Sequence, residues 1–146
     1  MPNITYMAVN FVYLLALCIW LGGMIAFVVL FAPSLTQALS RDEAGRVVGI
    51  FLTRLRPAVM ACVALITLTC AIKFALWETL TPWLLARWAA LGGMAALAAY
   101  DFRVLAPRLA AAKAAGEHAT FGRLHKTAVN TMGATMLLGL VALFLS

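Results

Sequence analysis

The residues of this chain able to do chemistry are few: His118 and His125, the acid Asp101, a set of arginines, and scattered sulfur side chains. The two histidines are seven residues apart, which puts them on one helical face about two turns from each other. That is farther than two ligands of one metal normally sit. Each imidazole alone has the chemistry to ligate haem or a metal, and His125 is the candidate metal ligand; the alternative is a hydrogen-bonding side chain at a membrane interface. Asp101, Arg103, Arg123 and His125, joined by Arg54 and Arg56, form the second constellation. An acid close to a membrane is costly unless paired, so Asp101 is expected to pair with an arginine or with His125. Two readings stay open for the group: a structural clasp, or a mouth in which guanidinium groups grip the phosphate or carboxylate of a lipid headgroup.

Cys18, Cys62 and Cys70 lie in apolar runs without CxxC spacing, so disulfides are not implied. With Met24, Met60, Met94, Met132 and Met136 they offer soft ligands to Cu(I), or simply fill gaps in an apolar core. No serine or cysteine has a base at motif spacing. No glycine loop suited to phosphate follows a strand pattern. Catalytic residues are therefore not assigned.

The elements that must position these side chains follow from composition. With 65% hydrophobic and 11% charged residues among 146, and a mean hydropathy of +1.00, the chain lies outside the soluble globular range. It reads as an all-α integral membrane four-helix bundle in one domain, because a helix needs about 20 apolar residues to cross the hydrocarbon. The spans are expected at about 6–31, 57–77, 83–107 and 120–145. The first five residues carry no Lys or Arg, so no cleavable signal peptide is expected. Ser40-Arg41-Asp42-Glu43 is a capping-box pattern and predicts a helix start. The amphipathic stretch from about 41 to 56 either lies in the interface or extends the second span, with Pro57 as the expected joint. Lys73 is placed where it can snorkel to the surface, and Trp77, Trp83 and Trp88 suit the interface. The third helix is expected to run through Pro107 and stop at Gly116.

Charge sets the orientation. Arg41, Arg46, Arg54 and Arg56 lie between the first two spans, and Arg103, Arg108, Lys113, Arg123 and Lys126 between the last two. The middle connection has only Lys73 and Arg87. The positive-inside rule then puts the first and third connections in the cytoplasm and both termini outside. A net charge of +6 is this collar, attracted to anionic lipid, and calls for no nucleic acid.

Trp20-Leu21-Gly22-Gly23-Met24 and Leu91-Gly92-Gly93-Met94 are near-copies 70 residues apart, and Arg54-Leu55-Arg56 returns as Arg123-Leu124-His125 at 69. The two offsets suggest a parallel repeat of two helical hairpins, although glycine pairs also match by chance in apolar sequence. Trp20, Gly22, Gly23, Gly92 and Gly93 read as helix-packing positions where another backbone approaches closely. Asn130, with Thr127 and Thr131, is expected to hydrogen-bond between helices.

Ala16-Leu17-Cys18-Ile19-Trp20-Leu21-Gly22-Gly23-Met24, Phe31-Ala32-Pro33, Asp42-Glu43-Ala44-Gly45-Arg46-Val47-Val48 and Phe121-Gly122-Arg123-Leu124-His125-Lys126, in that order, resemble the DUF4149 or TMEM205-like membrane proteins. The resemblance implies a four-span bundle and no defined activity. A more distant likeness, in the first helix, is to the CopD copper-resistance proteins and the HemJ-type protoporphyrinogen oxidases. A haem-binding relative would carry histidine in that helix, whereas this chain has none there. The expectation is a protein of the bacterial inner membrane that is not an enzyme. It would bind a hydrophobic or lipid-like ligand or serve as an accessory subunit of a membrane complex, with membrane lipids and copies of itself as partners. The alternative is a haem- or copper-handling membrane protein, a redox enzyme among its forms.

Overall fold

The computed structural model describes residues 3–146, the side chain of Arg41 excepted. Six helices follow one another: α1 (Ile4–Ala26), α2 (Ala32–Ala38), α3 (Arg41–Leu76), α4 (Pro82–Tyr100), α5 (Ala106–Ala114) and α6 (His118–Phe144). A π turn, Phe27–Phe31, joins α1 to α2, and a second, Asp101–Leu105, joins α4 to α5. The chain thus forms four helical rods, Ile4–Ala38, Asp42–Leu76, Pro82–Ala114 and His118–Phe144, each long and apolar enough to cross a membrane. Large apolar side chains such as Ile19, Leu68 and Leu137 are more than half exposed, which suits a surface solvated by lipid.

Both π turns have the same cause. Pro33 and Pro107 stand at the second position of α2 and α5. A proline inside a helix has no N–H to give the carbonyl four residues back, and its ring pushes against that carbonyl. The wider turn absorbs the conflict. Ala32 N–H donates to the Phe27 carbonyl, and Ala106 N–H to the Asp101 carbonyl, each five residues back. Ser34 Oγ donates to the Leu30 carbonyl at 2.7 Å. The first rod therefore continues past Pro33 to Ala38, beyond the end of the span expected at about 31. Pro57 likewise does not interrupt α3, so the amphipathic stretch and the second span form one 36-residue helix. Proline is tolerated in a membrane helix where surrounding groups take up the freed carbonyl.

The capping box forms as read. Ser40 N–H and Oγ donate to Glu43 Oε2 at 3.1 and 2.6 Å, and Glu43 N–H donates back to Ser40 Oγ. α5 gives way to α6 at Gly116, whose φ of +70° is a conformation glycine adopts without strain.

The chain divides into two compact units, 1–80 and 81–146. In the first, α1 packs along α3. Tyr13, Leu17, Trp20, Leu21 and Met24 repeat at three- and four-residue intervals and meet Cys62, Ile66 and Cys70 of α3 in the core. In the second, α4 and α5 pack against α6. Leu84, Ala90, Leu91 and Met94 are buried together with Thr135, Gly139 and Ala142 of α6, small side chains that allow close packing.

Each unit is a helical hairpin with a π turn and an Ala-Pro step in its first rod. The Gly pairs are 70 residues apart but the Ala-Pro steps 74, so the second hairpin holds one more helical turn between them. The burial pattern repeats at the shorter offset, with Leu17, Trp20, Leu21 and Met24 matched by Arg87, Ala90, Leu91 and Met94. The second landmark does not keep this register. Gly23 faces Leu55, whereas Gly93 faces Leu138 and not Leu124, because α3 and α6 differ in length and meet their partners at different heights.

The close backbone approach expected at the glycine pairs is not made within either hairpin. A Cβ on Gly22 or Gly92 would meet nothing within 4 Å, and one on Gly23 would make ordinary contact, 3.9 Å from Leu55 Cδ1. Only Gly93 is tight, with Leu138 Cδ1 at 2.9 Å, and that neighbour is a side-chain tip. Trp20 is buried in the core of its hairpin, 3% exposed.

Candidate functional site

Two features of the first hairpin stand out. The first lies where α1 begins and α3 ends. Lys73, expected to snorkel, is instead 1% exposed. Its Nζ donates to Asn10 Oδ1 at 2.8 Å and pairs with Glu78 Oε1 at 3.3 Å. It also lies 4.7 Å from the centre of the Tyr13 ring and 5.7 Å from that of Tyr6, within the range where an aromatic face attracts a cation. The local backbone explains the arrangement. The Lys73 carbonyl accepts from both Trp77 N–H and Glu78 N–H, each at 2.9 Å, so the chain folds back over the end of α3 and brings the Glu78 carboxylate to the lysine five residues before it. Trp77 closes the side, its ring edge-on to Tyr6 at 5.4 Å.

The second feature lies toward the other end of the hairpin, beside the π turn. Phe27 stacks on Phe51 of α3 at 5.1 Å, and Phe31 meets the same ring at 4.9 Å. Gly23, Ala26, Phe27, Leu30, Phe31, Ser34 and Phe51 line an apolar cleft of about 450 Å³. Gly23 contributes open space and the π turn brings both phenylalanines of the first rod to one side. The second hairpin has no copy of this wall, because Asp101 and Leu105 stand where Phe27 and Phe31 stand relative to the Ala-Pro step.

The basic constellation read from the sequence is divided between the hairpins. Arg54 is exposed and Arg56 half-buried on α3, so Arg54 is one turn along the helix from Phe51. In the second hairpin Asp101 opens the π turn and is half-buried, while Arg103, Arg123 and His125 are exposed. The His125 ring lies nearly parallel to that of Phe121 at 6.1 Å. Asn130 is exposed; Thr127 and Thr135 donate to carbonyls four residues back in their own helix. Cys62 and Cys70 are buried and Cys18 is exposed. Among the described residues no group of three or more His, Cys, Asp or Glu is arranged to hold a metal ion.

Of the two basic residues in the middle connection, neither stands in a loop. Lys73 and Arg87 are buried in their hairpins at 1% and 5% exposure. The signal for the Lys73 cluster was present in the sequence. Tyr6, Asn10 and Tyr13 recur at i, i+4 and i+7 in a run without charge, and so share one helical face. A polar stripe of that kind inside a span calls for a polar partner on the helix packed against it.

A family model described as a domain of unknown function matches residues 15–118. The match takes in the whole aromatic cleft, Lys73 and Asp101, and ends at the first residue of α6. No curated protein and no solved structure matches the chain.

Proposed function

The chain belongs to the DUF4149 family, whose description assigns no activity, and from that premise we propose a non-enzymatic multi-pass protein of the bacterial inner membrane that holds a lipid-like amphiphile. The observation that carries this reading is the cleft at the first π turn. It is an open groove walled by three phenylalanines and by Gly23, Ala26 and Leu30. Such a wall suits a hydrocarbon chain, whose burial is worth roughly 0.8 kcal/mol per methylene. Ser34 lines the cleft at its α2 end, a polar group suited to hydrogen-bond a headgroup, while the exposed Arg54 stands one helical turn beyond Phe51, toward the Gly23 end.

The charge distribution supports placing this end of the hairpin at the cytoplasmic face. The exposed basic side chains fall in the first and third connections, while the two cations of the middle connection are buried. Both termini then lie outside.

Trp20 stands one helical turn from Gly23 and reports on the cleft. In detergent, an acyl chain brominated along its length should quench the fluorescence component lost in Trp20→Phe, and should do so saturably. Gly23→Phe, which fills the cleft, should abolish that quenching. Quenching of equal depth in Gly23→Phe would refute the reading.

A further inference from the structure

We propose that the end of the first hairpin where α1 begins and α3 stops is a binding site for a primary ammonium group, occupied by the chain's own Lys73. The groups around Lys73 Nζ complement an ammonium ion whatever the aromatic cleft holds. An alkylammonium has three N–H donors and no acceptor. Around Lys73 Nζ stand one amide oxygen, Asn10 Oδ1 at 2.8 Å, one carboxylate oxygen, Glu78 Oε1 at 3.3 Å, and the Tyr13 ring at 4.7 Å to its centre. Two acceptors and an aromatic face match three donors. The more distant Tyr6 ring at 5.7 Å, itself held by Trp77, completes a cage.

Among the described residues, the elements packed here bring no second cation into the cage. α1 supplies Tyr6, Asn10 and Tyr13, and the chain after α3 supplies Trp77 and Glu78. The Glu78 side chain is 15% exposed against 1% for Lys73, so the carboxylate marks the side from which an amine would enter. A guanidinium is planar, and needs five donors met in a fixed fork. A quaternary ammonium has no donor for Asn10 or Glu78. The site therefore selects primary amines, and its resident fastens α1 to α3 through a charge that neither helix could bury alone.

Lys73→Ala removes the three side-chain carbons beyond Cβ together with the amine, so that n-propylammonium reproduces the missing atoms. In detergent, Lys73→Ala should melt at least about 6 °C below the parent. Added n-propylammonium should restore much of that loss saturably, with no effect on the parent protein, and n-propanol should not. Combining Lys73→Ala with Asn10→Leu should remove the response. Equal restoration by n-propanol would mean that a hole is filled and no ammonium recognised, and absence of any response to the amine would overturn the proposal as well. Should Lys73→Ala not yield folded protein, Lys73→Arg decides. It should melt clearly below the parent, and parental stability in that variant would show that the cage does not discriminate between cations.

Discussion

Alanine at the glycines of the two first rods should set Gly93 apart from Gly22, Gly23 and Gly92. At Gly23 a new Cβ would sit 3.9 Å from Leu55 Cδ1, an ordinary contact, and at Gly22 and Gly92 it would meet nothing. Replacing a mid-helix glycine by alanine gains about 0.8–1 kcal/mol of helix preference. At about 2–4 °C per kcal/mol for a chain of this size, each of these three variants should melt higher by a few degrees. At Gly93 the Cβ would lie 2.9 Å from Leu138 Cδ1, half an ångström inside the ordinary range that begins at 3.4 Å. Leu138 must turn away, and a side chain forced off its preferred rotamer costs about 0.5–1.5 kcal/mol. The two effects cancel, so Gly93→Ala should melt within about a degree or two of the parent. Adding Leu138→Val, which shortens the opposing tip, should recover the gain relative to Leu138→Val alone. The assay is thermal unfolding of purified protein in one detergent, followed by tryptophan fluorescence. A rise for Gly93→Ala equal to that for Gly23→Ala would refute the tight contact. A fall for Gly22→Ala or Gly92→Ala would refute the open space at those positions.

Three further outcomes follow from the same structure. Ser40→Ala breaks the capping box at the start of α3 and should cost about 1 kcal/mol, read as a melting point about 2–4 °C lower; no change would mean that α3 is held at this end by packing alone. Pro33→Ala restores the amide whose absence causes the π turn, so the first rod should relax toward regular helix and turn Phe31 away from Phe51. Bound amphiphile should fall while the melting point does not, and unchanged retention would show that the turn is held by other contacts. A reporter fused after Ser146 that is active only outside the cytoplasm should be active; a signal from a cytoplasmic reporter instead would invert the topology.

Hydropathy and punctuation made much of the fold legible. Long apolar runs need no partner to announce a spanning helix, and local signals such as the capping box at Ser40 and Glu43 or the stop at Gly116 act over one turn and are read directly. What stayed hidden depends on which faces meet. A lysine three residues from a helix end looks the same whether it reaches the surface or turns inward, and Lys73 turns inward because α1 presents Asn10 and Tyr13 to it. Pro57 reads as a joint, yet α3 runs through it, and the π turns by which the rods pass Pro33 and Pro107 leave no mark in the sequence beyond the prolines themselves. The glycine pairs read as contact points between backbones, but within each hairpin Gly22 and Gly92 meet nothing. The aromatic cleft joins Phe27 and Phe31 to Phe51 across two helices, a pairing that spacing along one helix cannot reveal. The assignment of the basic residues to the first and third connections was legible from their order in the chain.

The measurement that bears most directly on the account is native mass spectrometry of the protein extracted from its own membrane in mild detergent, with the parent and Gly23→Phe compared. The account predicts one retained amphiphile per chain in the parent, its mass giving its identity, and none in Gly23→Phe at unchanged folded yield. A parent that emerges bare under conditions where it stays folded, or a variant that keeps the same molecule with its cleft filled, would contradict it.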